Sequence, residues 1–391
     1  MVETSERTDT DNPQPETHGR GGPIDGPRDI MREREQPDLF VPPATDKGTM
    51  PNLKFSFSDA HVKLEPGGWT REVTARELPI ATDLAGVQMH LNGGDRSGAR
   101  EMHWHKQAEW QIMLAGSARV TAVDTVGRNM VADVFEGDLW LFPAGVPHSI
   151  QAHEGGCEFL LVFDDGNFSE ENTFMLTDWL AHTPPEVVAR NFGLPAKELD
   201  GLPHRELYIF PAPTPGDLAT DYIASPGGAI PENLIFRPAE WEPLQVPGGR
   251  VQIIDSRNFP ASQTIAAAIV EVEPGGLREL HWHPKADEWQ YFLVGEARMT
   301  VFASTGVSRT FNYSSGDVGY VPQAMGHYVE NIGDTPLKFL EMFRSDRFED
   351  VSLTQWLALT PPELVRAHLN LSDDAIAALS KEKQVIVRDR E

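Results

Sequence analysis

Two short stretches decide how this chain is read: "HWHKQAEW" at residues 103–110 and "HWHPKADEW" at 281–289. In a β-strand, residues i and i+2 point to one face. His103 and His105 therefore project together, with Trp104 opposite, and Glu109 lies just beyond a short turn. A fourth donor follows in "GDLWLFPAGVPHS", where a Gly-Asp turn, a strand and a Pro-Gly turn lead to His148. The second copy offers His281, His283, Glu288 and His327, with one extra residue in its turn. Three imidazoles and one carboxylate, without thiolate, suit a divalent first-row ion. On an octahedral ion such a set leaves two positions open. Donor type alone does not choose between Mn, Fe, Co, Ni and Zn.

The duplication extends outward from these clusters. "LTDWLAHTPPEVV" from Leu176 returns as "LTQWLALTPPELV" from Leu353, and "PGG" at 66–68 returns at 247–249. Around each cluster, short β-prone runs such as "EWQIML", "ARVTAVDT" and "CEFLLVF" are broken by Gly, Pro, Asp and Asn. That is the texture of a strand sandwich or barrel. Each copy thus reads as a strand-rich body followed by a short helical segment. The expected division is a polar, partly extended arm over 1–50, a first domain with a lid over 51–232 and a second domain over 233–391.

Composition bounds the function. The 391 residues are 40% hydrophobic and 24% charged, enough for two ordinary cores. A formal charge of −26 argues against nucleic acid or anionic membranes as partners. A metal can still reverse the potential locally and admit an anionic substrate. Cys157 is the only cysteine, so no intrachain disulfide forms. No apolar run is long enough for a membrane span, and "MVETSERTDTDNPQPETHGRGG" lacks a secretory apolar core. The expectation is a soluble cytoplasmic protein.

The spacing G-x5-H-x-H-x4-E-x6-G runs from Gly275 to Gly295, and G-x5-P-x-G-x2-H runs from Gly137 to His148. These resemble the two cupin motifs, and two copies make a bicupin. The wording "RELHWHPKADEWQYFLVGEARMTVFA" and "GDVGYVPQAMGHYVENIGD" resembles the oxalate decarboxylases, from about residue 38 onward. Gly98 is misplaced ahead of the first cluster, and Ala324 stands where the motif has Gly. The resemblance implies an all-β fold of two tandem jelly-roll barrels, each with a manganese ion, so two Mn2+ per chain. It implies cleavage of oxalate to formate and carbon dioxide with dioxygen as co-catalyst. It also implies trimers or hexamers joined through the helical segments.

The same resemblance assigns further roles. Arg100 and Arg278 each precede a histidine dyad by three residues, so strict alternation puts them on the opposite face unless a bulge intervenes. Alternation makes them salt-bridging residues; the resemblance makes them substrate-polarising. "FSEENTF" at 168–174 reads as a solvated turn before a helix, with Asn or Thr as that helix's N-cap; the resemblance makes it a lid over the first metal. Glu170 would then shuttle the proton, and Thr173 would hydrogen-bond Arg100 in the closed lid. Glu171-Asn172 stands where the family pattern has Asn-Ser. Glu341 resembles the family's second-site acid, or a salt-bridge partner of Arg278. Trp104 and Trp282 read as core or interface anchors. The rival functions are an oxalate oxidase, another cupin metalloenzyme such as an iron dioxygenase, and a non-catalytic storage or binding bicupin; intact ligand sets weigh against the last.

Overall fold

The computed structural model describes residues 42–388 without a break, together with 26, 27, 29, 31 and 32. Most of the arm expected over 1–50 lies outside the described residues. The rest folds as two units of antiparallel strands in the same order. Strands Gly68–Val73, Ala85–Leu91 and Arg96–Trp104 of the first unit correspond to Gly249–Ile254, Ala266–Val272 and Gly276–Trp282 of the second.

The copies differ in how their strands bend. Glu109–Val123 and His148–Phe163 run unbroken in the first unit. Their counterparts are split into Glu288–Val294 with Ala297–Ala303, and Gly326–Asn331 with Leu337–Phe343. The first unit therefore counts as one 11-stranded sheet, and the second as sheets of seven and six. The bends fall where register slips beside Gly116. Gly116, Gly156 and Gly295 all take positive φ there, at 76°, 75° and 89°, a backbone region that side chains disfavour. Each unit is a jelly roll built from the same strands turned across two faces.

The two units are laced together. Lys54–Ser56 pairs with Asp317–Gly319 in the second unit, and Ile235–Phe236 pairs with Trp140 and Leu139 in the first. Sheet membership therefore crosses the expected division at 232/233 in both directions. One apolar core runs through both, joining Trp110 and Ile112 to Trp289, Tyr291 and Ile269. Trp289 presses on Gly86, where an added Cβ would lie 2.6 Å from the indole Cζ2. Removing a fully buried Trp of this kind costs about 3–5 kcal/mol.

The short helices follow each last strand. Pro185–Phe192 and Pro362–Leu369 both begin on proline, and Gly193 and Asn370 end them in the left-handed conformation. That is the favoured pairing of start and stop signals. Ahead of them, helices Leu176–Ala181 and Leu353–Ala358 carry Trp179 and Trp356, 60% and 55% exposed. These rings meet Trp104 and Trp282 edge-on at 5.4 and 5.6 Å.

Candidate metal centres

Strand pairing brings the eight donors into two clusters. His103 lies directly opposite His148, and His281 opposite His327. His105 and Glu109, like His283 and Glu288, flank the adjoining turns. In each set the ligating atoms lie within 4.8 Å of one another, and all eight residues are buried. The turn before His148 is tied by the Gly145 amide donating to the His105 carbonyl at 2.8 Å. Ala324 makes the same bond to His283 at 2.9 Å, and does so at φ 63°. The motif's missing glycine thus leaves a strained alanine and an unchanged turn.

Backbone carbonyls orient every ring. His103 Nδ1 meets Glu101 O at 2.6 Å, His105 Nδ1 meets Gln107 O at 2.7 Å and His148 Nδ1 meets Val146 O at 2.8 Å. In the second cluster His281 and His327 are held likewise, at 2.6 and 3.0 Å. His283 instead reaches Glu349 O, across the chain, at 2.9 Å. The longer turn has replaced a local carbonyl with a distant one. With Nδ1 engaged, each Nε2 faces its cluster, where His105 Nε2 lies 2.7 Å from Glu109 Oε2.

The donor set fits a cation. Glu109 Oε1, Glu288 Oε2 and the Nε2 atoms of His148, His281, His283 and His327 are buried without a hydrogen-bond partner. Such convergent orphans need an explanation, and a bound ion supplies it. Burial opposes ionisation of Glu109, but His148 and His105 hold its pKa down to about 2. Burial, then Arg100, pushes His103 well below its ordinary value. An ionised carboxylate beside neutral imidazole is the state a divalent ion takes.

Arg100 and Arg278 are inside, not outside. Register slips by one residue between Arg100 and His103, and again between Arg278 and His281. These bulges turn both arginines inward, to 2% and 0% exposure. Each Nη1 also points at a carbonyl, Tyr208 O or Val385 O, at 3.4 Å. Both carbonyls belong to residues at positive φ, 54° and 60°.

The two arginines meet different acids. Arg100 Nη2 lies 2.7 Å from Glu170 Oε2, whose residue is only 5% exposed. Glu170 opens the short turn Glu170–Asn172, capped by Ser169, and the helix that follows starts from Met175 with no side-chain cap, not from Asn172 or Thr173. Phe168 anchors the turn by stacking on Phe163 at 3.5 Å. Thr173 does not bond Arg100: its buried hydroxyl has no partner, and Arg100 Nη1 meets Met175 Sδ at 3.1 Å instead. In the second unit Arg278 Nε meets Glu341 at 3.0 Å and Nη2 meets Asp350 at 2.6 Å. Lys383 closes on the other oxygen of Asp350.

Several supporting residues were not singled out from sequence. Glu101, buried beside His103, accepts from the Thr177, Leu207 and Tyr208 amides at 2.7, 2.7 and 2.8 Å. Glu279 does the same for Val385 and takes the Ser352 hydroxyl. The repeated "RE-x-HWH" wording carried that signal. Asp350 and Lys383 carried none, because the first unit has no equivalent pair.

Comparison with known proteins agrees with this geometry. The cupin family model matches residues 56–200 and again 236–377. Oxalate decarboxylase OxdC of Bacillus subtilis is 58% identical over 380 residues, covering 97% of this chain and 98% of that protein. An oxalate decarboxylase of Arthroderma benhamiae is 41% identical, covering 95% and 92%. The solved structure of the Bacillus subtilis enzyme at pH 4.6 superposes with a TM-score of 0.93, covering 97% of this chain and 99% of that one. Another, from work on the Mn(II) centres of that enzyme, gives the same score at 58% identity, covering 97% of this chain and 100% of that one. With a cupin unit around each ligand set, this chain belongs to the oxalate decarboxylases of the cupin family.

Proposed function

We propose that the first centre, loaded with manganese and supplied with dioxygen, cleaves oxalate to formate and carbon dioxide, with Glu170 as the proton shuttle. The observation that carries this reading is the buried Glu170 carboxylate, held 2.7 Å from Arg100 above an intact ligand set. The curated relatives named for oxalate decarboxylation and the Mn(II) centres of a solved relative support it.

Heterolysis of oxalate would leave a carbanion on a carboxylate. Manganese with dioxygen supplies one-electron chemistry that avoids this. His103, His105, Glu109 and His148 would hold the first ion, and His281, His283, Glu288 and His327 the second. Three neutral imidazoles and one carboxylate leave a divalent centre at +1, so a hydrogen-oxalate monoanion neutralises it. Arg100 stabilises negative charge on the substrate. Glu170 takes the proton from hydrogen oxalate and returns it to carbon as formate forms. The turn carrying Glu170 excludes water while this happens.

The second centre serves mainly structure, because Arg278 is already neutralised by Glu341 and Asp350. Among the described residues no helix is long and apolar enough to cross a membrane. We place the protein in the cytoplasm as a trimer or hexamer, with the exposed Trp179, Trp356 and Leu359 as contact points. The test loads purified protein with Mn2+, adds oxalate and air, and quantifies metal, formate and hydrogen peroxide. The expected result is formate with little peroxide. Full metal loading with peroxide as the product would make the protein an oxidase; no turnover of oxalate would remove the reading.

A further inference from the structure

The duplicated fold provides an internal control for the lid. In the first unit, cross-strand pairing sets Glu72 opposite Val87 and Val87 opposite Leu161. The matching row in the second unit is Ile253, Ala268 and Glu341. Each row carries one acid, at opposite ends. Glu341 reaches its arginine directly. Glu72 reaches the lid instead: its Oε1 accepts the backbone N–H of Glu170 at 3.3 Å. Where the lid is missing, the position of Glu72 holds an isoleucine.

The first N–H groups of a helical turn lack partners within it. Ser169 takes the Glu171 amide at 3.3 Å, and Glu72 takes the Glu170 amide. Two polar contacts therefore tie this turn to the barrel, one through Arg100 and one through Glu72. The Arg100 contact occupies the carboxylate that must exchange protons with substrate. The Glu72 contact holds only backbone and leaves that carboxylate free. We propose that Glu72 is a positioning residue, which keeps the lid turn closed while the Glu170 side chain works. This rests on the proposed role of Glu170.

The contact is pH-sensitive. Glu72 faces Glu170 on the lid, with Arg76 at 3.4 Å and Glu77 on the turn that follows its own strand. Glu171 on the lid faces Arg76, and Tyr208 packs near both acids. Burial, then the charge of Glu170, raises Glu72 from 4.5 to about 7. The amide bond from Glu170 pulls the other way, but the charge of Glu170 outweighs it, so with the turn in place Glu72 favours its protonated form. That preference is lost as pH rises through about 7.

The test uses full-length, manganese-loaded Glu72→Ala and Glu72→Gln. Formate, peroxide, metal content and melting temperature are measured from about pH 4.5 to 7.5. Loss of one such hydrogen bond predicts that Glu72→Ala lowers kcat for formate by about tenfold, with KM little changed. The peroxide share should rise and metal content should hold. Glu72→Gln keeps an accepting oxygen without the charge. It should restore the acid-pH rate and lose less formate activity than wild type toward neutral pH. Wild-type rate and product ratio in Glu72→Ala would overturn the inference. So would a loss matched by a falling melting temperature and not rescued by glutamine. Wild-type protein that makes no formate would remove the Glu170 reading instead.

Discussion

The two arginine pockets share one scaffold and differ in what neutralises the charge. Both arginines are turned inward by a bulge and aimed at a carbonyl of a positive-φ residue. Arg100 is met by one carboxylate, on a three-residue turn whose other members, Glu171 and Asn172, are exposed. Arg278 is met by two, Glu341 on a central strand and Asp350 under Lys383. The first pocket's acid sits on a short turn with exposed neighbours. In the second, both acids are fixed by buried structure. Both copies keep a full set of metal ligands, so the proposal that the first performs the chemistry rests on the acid beside its arginine.

Removing ligands breaks the comparison most severely. Glu109→Ala and Glu288→Ala should each cost one of two bound metal ions per chain, read by metal analysis. Glu109→Ala should cut formate production by more than about 100-fold, since its centre loses the ion's chemistry. Glu288→Ala should retain much of the rate per folded protein. Equal losses would place catalysis in both copies.

Arginine removal sharpens the contrast in stability. Arg278→Ala strands Glu341 on a central strand and leaves Asp350 to Lys383 alone, and breaking such a buried group typically costs about 3–5 kcal/mol. Arg100→Ala strands Glu170, on a surface turn flanked by exposed Glu171 and Asn172, so its cost should be roughly half or less. Denaturant unfolding of the two variants measures the difference. A larger loss for Arg100→Ala would contradict the distinction between the two pockets.

The smallest effect concerns Ala324. A left-handed residue with a Cβ is strained by about 1–2 kcal/mol, partly offset by the entropy glycine loses on folding. Ala324→Gly should therefore raise stability by about 0.5–1 kcal/mol, seen as a shifted unfolding midpoint. The equivalent Gly145→Ala should lower it, since Gly145 sits at φ 75°.

Much of this was legible in the chain. Alternation set His103 with His105, and the repeated wording doubled the cluster. The bulge was invisible, because a slipped register leaves no mark on local periodicity; strict alternation alone would have sent both arginines outward. Asn172 and Thr173 read as caps because both residue types cap well, yet the next helix starts only at Met175, without a side-chain cap. Contacts such as Glu72 with Glu170 and Asp350 with Lys383 join residues 98 and 33 positions apart. Nothing local in the sequence announces them.

The most direct measurement is the product balance of manganese-loaded Glu170→Gln, with metal content checked in the same sample. A glutamine keeps the size and the contact with Arg100 but holds no transferable proton. The account predicts two ions per chain, a fall in formate of about 100-fold or more, and peroxide as the main remaining product. Formate at the wild-type rate from that fully loaded variant would contradict it.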